Sequence, residues 1–563
     1  MNIPVVDAPL YCRMLAGGAE NLQRHAAEIN ELNVFPIPDG DTGDNMLLTI
    51  RGGLAAQPQG GLGTAARAAG DGMLVSARGN SGVILSQLFD GIAAGLSGLE
   101  TADAGQLSRA FEEGVAHAYR AVLEPTEGTI LTVAREATQA ACAAEAADIA
   151  GFFAAFLAQA ERSLQHTPEL LPVLKKAGVV DSGGAGLLRI VEGMQRVLTG
   201  EPLPAASVPA DAPAGSQPGS QPGLQPGSQP GLQPGLQPNI QAFTEDSVLE
   251  YGYCTELLLR LQTAKTDVEA FAVETLTEYL QTIGNSVVAF KTGSIVKVHV
   301  HTMMPDRVLA FCQRYGEFLT VKIENMSLQH NNLSPAETPA PERRPFGVVT
   351  VACGEGIQAL FRQLGADEVI NGGQSMNPSA GDFLAAFDRA NADTIFVLPN
   401  NGNVLLAARQ AAGMYTGADV RVIESRSLGE GYAALSMLNT ESGDADAITA
   451  ELTAAMEGVV TAAVATCSRD TDSDGLSLYK GEYIGFIGDR ILSADNDPMD
   501  TARRLVDELD FTDREICILL SGKDADEQQT QAIRSYIAQT HPGCELYVTA
   551  GGQEIYRYIL IIE

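Results

Sequence analysis

The chain has 563 residues, 45% of them hydrophobic, and at roughly 100–200 residues per domain it is long enough for about three to five domains with cores of their own. Its 36 basic residues against 70 acidic ones give a formal net charge of −34. A surface of that sign repels phosphate backbones and anionic lipid, so nucleic acid and a membrane surface are poor partners, and an anionic substrate has to be met locally by metal ions or backbone N–H groups.

Eight cysteines are sparse over this length, and none forms a C-x-x-C pair. That usage fits reduced thiols and a cytoplasmic protein. The start, MNIPVVDAPLYCRMLAGGAE, lacks the basic and apolar stretches of a secretory signal, and no apolar run reaches the roughly 18 residues of a transmembrane span. Trp is absent and aromatics make up 6%, which argues against an aromatic platform for single-stranded nucleic acid.

In chain order, residues 1–202 read as helical. Leu107, Phe111, Val115, Tyr119 and Val122 recur at the spacing of one helix face, in Ala-rich surroundings with few β-branched runs. Residues 203–240 carry a repeating Gln-Pro-Gly tetrad. Pro every fourth residue forbids a regular helix and Gly at the same period prevents a stiff rod, so a flexible tether is predicted. Residues 241–332 combine a helical stretch at 266–282 with an alternating strand, Ile295–His301, as in a small α+β domain. A second linker, LSPAETPAPERRP, covers 333–345. Residues 346–563 alternate strand-like runs (Phe346–Val351, Thr394–Leu398, Val420–Ile423, Ile516–Leu520, Tyr556–Ile562) with helical patterns such as Asn403–Met414 and Ala525–Ala538. That is the pattern of an α/β sheet domain.

The segment with the most chemical character is NVFPIPDGDTGDN, Asn33–Asn45. Asp39, Asp41 and Asp44 fall within six residues. Pro36 and Pro38 fix φ, while Gly40 and Gly43 permit a tight turn. Crowded carboxylates repel unless a cation sits between them, and hard oxygen ligands suit Mg²⁺ or Ca²⁺. An EF-hand fits badly, because Gly43 falls one position early and Ile50 stands where the bidentate Glu belongs. The competing reading is an ordinary solvated Asp/Gly turn. Two further small-residue loops, Ser76–Val83 (SARGNSGV) and Asp181–Gly186 (DSGGAG), each precede an apolar helical run. Their backbone N–H groups can hold phosphate oxygens, although Gly-rich helix starts are common. Gly61-x-Gly63-x-x-Ala66 is a chance-level dinucleotide match without a preceding strand, and no G-x-x-x-x-G-K-[ST] exists, which excludes a P-loop kinase.

In the middle block, Cys254 sits in GYCTE, and His299 and His301 sit in VKVHVHT. Positions i and i+2 of a strand share a face, so two imidazoles plus a thiolate make a three-ligand Zn²⁺ set. Simple alternation, with Val296, Val298 and Val300 inward, explains the same pattern without metal. In the last block, GGQSMNPS and LPNNGN follow strands, the positions where α/β sheets bind ligands; plain connections are the alternative.

ELNVFPIPDGDTGDNM, ARGNSGVILSQ, PTEGTILTVARE and AGVVDSGGAGLL occur in an order that resembles the nucleotide-binding domain of dihydroxyacetone kinases, in the version found in bacterial fatty acid kinase (its FakA-type subunit). GYCTE with VKVHVHT resembles that kinase's middle domain, and GGQSMNPS with LPNNGN its carboxyl-terminal, DegV-like domain. The resemblance spans nearly the whole chain apart from the Gln-Pro-Gly tether. It implies an all-α antiparallel eight-helix barrel with ATP at one end, a small α+β domain holding Zn²⁺ through Cys254, His299 and His301, and an α/β domain that docks a fatty-acid-carrying partner of the DegV type. It implies that Asp39 and Asp41 bind the Mg²⁺ ions bridging the phosphates, with Asn33 near an earlier ligand position. Asn45, Asn80, Ser81 and Gly82 would contact phosphates, and Gly128, Thr129, Leu131, Asp181 and Gly183 would lie near the adenine. Thr usually stands at the position of Asp44, so the extra carboxylate here either joins the metal shell or repels the γ-phosphate.

The activity so implied is ATP-dependent phosphorylation of a fatty acid carboxylate, giving an acyl phosphate. Arg78, beside the phosphate loop, would add a cation near the transferred group. No signature of a long apolar pocket is present, which suits an acyl chain carried by a partner. Two alternatives stand beside it. One is a kinase of dihydroxyacetone or another small hydroxyl compound, which needs a substrate-holding histidine where the last third has only His541. The other is a non-catalytic zinc scaffold for a lipid carrier. A homodimer is left open.

Overall fold

The computed structural model describes residues 3–32, 34–37, 40–55, 60–201, 253–268, 270–292, 294–325, 343–373, 377–440, 443–512 and 514–563. The Gln-Pro-Gly tether, Asn33, Asp39 and the side chains of Cys254, His299 and His301 lie outside them. Contacts divide the chain into two compact units, Met1–Ala212 together with Glu342–Glu563, and Pro213–Pro341. The helical and α/β regions thus belong to one unit although the middle region separates them in sequence.

The first region contains helices α1 (Ala8–Asn30), α2 (Thr42–Leu54), α3 (Leu62–Ser76), α4 (Gly79–Gly95), α5 (Ala104–Ala121), α6 (Ile130–Ala143), α7 (Ile149–Leu170), α8 (Pro172–Ala177) and α9 (Ser182–Thr199). A short antiparallel pair, β1 (Val5–Asp7) and β2 (Thr101–Asp103), precedes α1 and α5. Local chemistry sets the helix starts. Asp7, Thr129, Asp148 and Asp181 cap through their side chains, and Asp103 forms a full capping box with Gln106. From α1 to α7 each helix packs on the next, α7 packs on α9, and α9 returns to α1. The face read from the sequence is the buried face of α5: Phe111 meets Phe152, Phe153 and Phe156 edge-on, with centroids 5.2–5.8 Å apart. The α1–α9 contact is close because Gly17 and Gly18 face Gly193; a Cβ on Gly193 would stand 2.3 Å from the Gly17 carbonyl oxygen.

The second unit is an antiparallel sheet of β3 (Tyr253–Leu261), β4 (Gly284–Thr292), β5 (Ile295–Thr302) and β6 (Gly316–Asn325), in the order β4-β5-β3-β6. Helices α10 (Glu274–Ile283) and α11 (Pro305–Cys312) cover one face through a core that includes Leu257, Leu259, Val296, Val298, Val300, Leu276 and Leu280. The helix expected over 266–282 starts only at Glu274. Upstream, the Asp267 side chain accepts from the Ala270 N–H and the Lys291 ammonium donates to the Val268 carbonyl, so the backbone is tied into turns instead.

The carboxyl-terminal region opens with a parallel sheet of β7 (Arg344–Ala352), β8 (Glu368–Asn371), β9 (Ala392–Leu398) and β10 (Asp419–Val422), in the order β10-β9-β7-β8. Helices α12 (Glu355–Gln363), α13 (Ala380–Ala390) and α14 (Gly402–Met414) connect its strands. β7 starts at Arg344, inside the expected linker, because Arg344 pairs with Ala392 and its guanidinium reaches Asp367. Beyond this sheet the expected α/β domain carries two more: a two-stranded hairpin, Thr471–Ser473 with Leu476–Leu478, and a larger sheet. The larger sheet holds six strands in the spatial order Arg490–Asp495, Tyr483–Ile487, Val460–Thr466, Tyr556–Ile562, Ile516–Ser521 and Glu545–Ala550. Only its last pair is parallel; a Gly488-Asp489 hairpin, with Gly488 at φ +53°, turns the first pair antiparallel. Among the described residues no helix is long and apolar enough to cross a membrane.

Candidate active site

Four helix starts meet at one place in the helical region. The Ser182 hydroxyl at the start of α9 donates to the Thr42 hydroxyl at the start of α2, 3.2 Å away. A Cβ on Gly183 would stand 3.1 Å from Ser81 Oγ in α4 and 3.2 Å from Ile130 Cβ in α6. The Asp181 carboxylate accepts from the Gly184 N–H at 2.7 Å and also from the Ile130 N–H, which ties α9 to α6. Gly79 opens α4 at φ +58°, and a Cβ there would press to 2.7 Å from Asn45 Nδ2, so only glycine brings these two loops this close. Each start turns backbone N–H groups and the positive end of a helix dipole toward the same point, which is the arrangement that receives phosphate oxygens.

Asp41 caps this point from the end of the acidic turn. Burial pushes its carboxyl from the usual 3.8 up to about 6; a hydrogen bond from Asn45 opposes the rise and the Asp44 charge adds to it. Asp181 is pushed to about 6 for the same first reason, with backbone N–H bonds from Gly184 and Ile130 opposing. In the first turn of α4, Asn80 Oδ1 is buried without a hydrogen-bond partner among the described residues. A buried carboxylate and an unsatisfied amide oxygen, each at a helix start of this group, are acceptors that a hard divalent cation satisfies. The residues present therefore fit the Mg²⁺ that the resemblance implies.

The remaining expected residues fall as follows. Asn45 is buried on α2 against Gly79. Gly82 packs on Thr49; a Cβ there would stand 2.5 Å from the Thr49 hydroxyl. Gly128 holds φ +84° and donates to Thr132, Thr129 caps α6, and Leu131 is buried in the first turn. Asp44 is exposed, with its carboxylate taking a hydrogen bond from Asn30 at 2.8 Å. Arg78 is not free beside the phosphate loop: its guanidinium donates to the Asn377 carbonyl at 2.7 Å and pairs with Asp382 at 3.3 Å.

That last contact belongs to a wall built from the stretches of Asn377 and Asn403, which the sequence marks as ligand positions after strands without announcing that they meet the helical site. Loops of the carboxyl-terminal region close on the helical site: Asn377 Nδ2 donates to Asp41 Oδ2 at 2.6 Å, and Asn80 Nδ2 donates to Asn403 Oδ1 at 3.3 Å. The backbones of Arg78 and Ser379 bridge, and the Ala380 N–H donates to the Ala77 carbonyl at 3.1 Å. A cavity of about 600 Å³ lies alongside, walled by Phe35 and Ile37 from the lead-in to the acidic turn and by Val351, Asn403, Phe486 and Gln553 from the carboxyl-terminal region. It is invisible to any reading of neighbouring residues, since its walls come from distant segments.

In the middle unit the strand register sets Cys254 opposite His301, with Glu256 opposite His299 two residues on. Among the described residues no three His, Cys, Asp or Glu side chains are placed to hold a metal.

Three family models match the chain: the DAK2 domain over residues 36–196, the middle domain of FakA-like fatty acid kinase proteins over 250–333, and the carboxyl-terminal domain of the same FakA-like proteins over 347–563. Protein YloV of Bacillus subtilis (strain 168) is 37% identical over 575 residues, covering 100% of both chains. An uncharacterized protein of Staphylococcus saprophyticus is 37% identical over 571 residues, covering 99% of both. Among solved structures, the DegV fatty acid binding protein of Bacillus subtilis is similar over 39% of this chain and 98% of its own, at 13% identity and a TM-score of 0.30. The dihydroxyacetone kinase of C. freundii, in complex with AMP-PNP and Mg²⁺, is similar over 54% of this chain and 57% of its own, at 10% identity and a TM-score of 0.27. By its domain matches and its full-length relatives, the chain belongs to the FakA-like fatty acid kinase family.

Proposed function

We propose that this protein is the ATP-dependent kinase subunit that phosphorylates the carboxylate of a fatty acid presented by a DegV-type fatty-acid-binding partner, releasing acyl phosphate and ADP. The observation that carries the proposal is the meeting of four helix starts around the buried Asp41 carboxylate, within a chain whose domains match a kinase family. The closed packing order of the helices supports reading this region as the expected barrel, with nucleotide at the end where α2, α4, α6 and α9 begin.

In this reading the N–H groups of Asn80, Ser81 and Gly82 hold phosphate oxygens, and Thr129, Leu131 and Gly183 bound the space for the base. Asp41, together with Asp39, holds divalent cation against the phosphates. Bound Mg²⁺ supplies charge neutralisation for phosphoryl transfer. A carboxylate oxygen of the fatty acid attacks the γ-phosphorus while the bond from that phosphorus to the bridging oxygen of ADP breaks. The acceptor is already ionised at neutral pH, so no general base is needed. The chain's own task is alignment and neutralisation of two anions.

The zinc set of the middle unit remains part of the proposal. The register of Cys254 opposite His301 supports it, and metal analysis of the purified full chain beside its Cys254→Ser variant tests it: the variant is expected to lose one equivalent of zinc. The main test is ATP consumption with oleate and a DegV-type carrier. Acyl phosphate formation that depends on carrier and oleate is expected, with Asp41→Ala losing at least a hundredfold in rate. Full activity of Asp41→Ala, or turnover of free dihydroxyacetone instead, would overturn the reading.

A further inference from the structure

The carboxyl-terminal region reaches the Asp41 carboxylate through a side chain anchored on several sides. Asn377 is 2% exposed. Its Nδ2 donates to Asp41 Oδ2 at 2.6 Å, while its carbonyl accepts from the Arg78 guanidinium at 2.7 Å. Arg78 is in turn fixed by Asp382 at 3.3 Å, and Asp382 accepts from the Ser379 N–H and hydroxyl at 2.7 and 2.8 Å. The backbone of Asn377 is therefore held from both sides of the contact. Its other amide atom, Oδ1, is buried and has no hydrogen-bond partner among the described residues. The two amide atoms share one carbon, so this oxygen lies beside the Asp41 carboxylate. Reversing the amide would set oxygen against carboxylate, which fixes the assignment.

A buried amide oxygen without a donor is a cost that native structures rarely accept without a partner to come. Here the neighbouring Asp41 carboxylate is itself an acceptor, so it offers this oxygen no donor. A neutral amide oxygen is among the ligands that hard cations accept. We propose that Asn377 completes the divalent-cation site of the helical region, its amide nitrogen orienting Asp41 and its Oδ1 serving as a cation ligand. The carboxyl-terminal region is then part of the nucleotide site itself and not only a surface for a partner. This inference rests on the nucleotide reading above.

The test uses the full chain and calorimetric binding of ADP with Mg²⁺ or Cd²⁺. Asn377→Ala is expected to bind Mg²⁺–ADP at least tenfold more weakly than the wild-type protein while ADP binding in excess chelator stays the same. Asn377→Cys is expected to lose Mg²⁺–ADP affinity equally and to gain Cd²⁺–ADP affinity over wild type, a swap of metal preference that a purely structural role does not produce. Thermal unfolding of both variants checks the fold, and the cysteine variant's cadmium gain reads only from folded protein. Wild-type Mg²⁺–ADP affinity in Asn377→Ala, or weakening of ADP in chelator to the same extent, or no cadmium gain in Asn377→Cys, would overturn the inference while leaving the nucleotide reading intact. Failure of the wild-type chain to bind Mg²⁺–ADP would sink both.

Discussion

The ring of Phe35 stands edge-on to that of Phe486, with centroids 4.9 Å apart and planes at 68°. This pair joins the lead-in of the acidic turn to the six-stranded sheet of the carboxyl-terminal region. Around it, Ile37 is buried in the same core, the Ser468 N–H donates to the Pro36 carbonyl at 2.9 Å, and Arg469 donates to the Val34 carbonyl at 2.7 Å. The position of Asp41 is thus set from both sides, by α2 behind it and by a segment more than four hundred residues away in front. Phe35→Ala removes the aromatic contact and opens space in a half-buried site, so a loss of about 2 kcal/mol is expected. Nucleotide binding should weaken several-fold with it, because the turn loses its anchor. Thermal unfolding and calorimetry on the same sample check both; a variant that loses stability but keeps full Mg²⁺–ADP affinity would show that the anchor does not act on the site.

Asp41 makes the stability of the cation-free protein depend on pH in a defined direction. An acid whose folded-state pKa lies near 6 instead of 3.8 holds its proton more tightly when folded. Its contribution is fully present below 3.8 and is lost as pH rises through about 6. Ionised, it costs the folded state up to about 3 kcal/mol before solvent screening, and less after it. Asp41→Asn keeps the shape and removes that cost, so at pH 8 without divalent cation this variant is expected to melt higher than wild type. At pH 4 the gap should close. Magnesium with ADP should reverse the order at pH 8 by raising only the wild-type melting temperature. Equal melting of the two proteins at pH 8 would mean that the carboxylate is not strained there.

The parts of this architecture that were legible in the sequence are the local ones. Asp181 before Ser182-Gly-Gly and Ser379 before Ala380 are capping residues, and each marks its helix start to the residue. The Leu107–Phe111 spacing marks the buried face of α5 because one helix carries all of it. Asn377 and Asp41 are 336 residues apart, and nothing near either one encodes the other; their contact depends on how two folded surfaces dock. The presence of a separate six-stranded sheet in the last region was hidden for a related reason. Val460–Thr466 and Tyr483–Ile487 are short runs of small and apolar residues, and their membership of that sheet comes from pairing partners more than seventy residues on as well as from the nearby hairpin.

Gly193 sets two opposing effects against each other. Replacing it with Ala raises helix propensity by about 1 kcal/mol in an exposed helix. Here the new Cβ would sit 2.3 Å from the Gly17 carbonyl oxygen and 2.7 Å from Gly18 Cα. Those are backbone atoms of a facing helix and cannot rotate aside, so α1 and α9 have to separate. Sterics should win, with Gly193→Ala net destabilised by about 1–3 kcal/mol. A lower midpoint in denaturant with an unchanged slope is the expected result, and a stabilised variant would show that the two helices slide apart freely.

Asp181 shares the raised pKa of Asp41 but has different work to do. Its carboxylate accepts from the Gly184 N–H at 2.7 Å as the cap of α9 and from the Ile130 N–H of α6, while its own N–H donates to Thr167 at 3.1 Å. Its acceptors are spent on the protein's own backbone, so its charge is not needed to hold a cation. Asn caps a helix about as well as Asp, so Asp181→Asn removes the charge and keeps the Gly184 bond, with one carboxylate oxygen replaced by an NH2. That variant is expected to bind Mg²⁺–ADP within about twofold of wild type, and to be more stable than wild type above pH 6, where the buried carboxylate would otherwise ionise. Asp181→Ala, by contrast, should lose about 1 kcal/mol with the cap and loosen the junction of α6 and α9. Calorimetry on the Asn variants of Asp41 and Asp181 side by side separates the roles: loss of metal-dependent binding belongs to Asp41, and the same loss at Asp181 would mean that both carboxylates reach the cation.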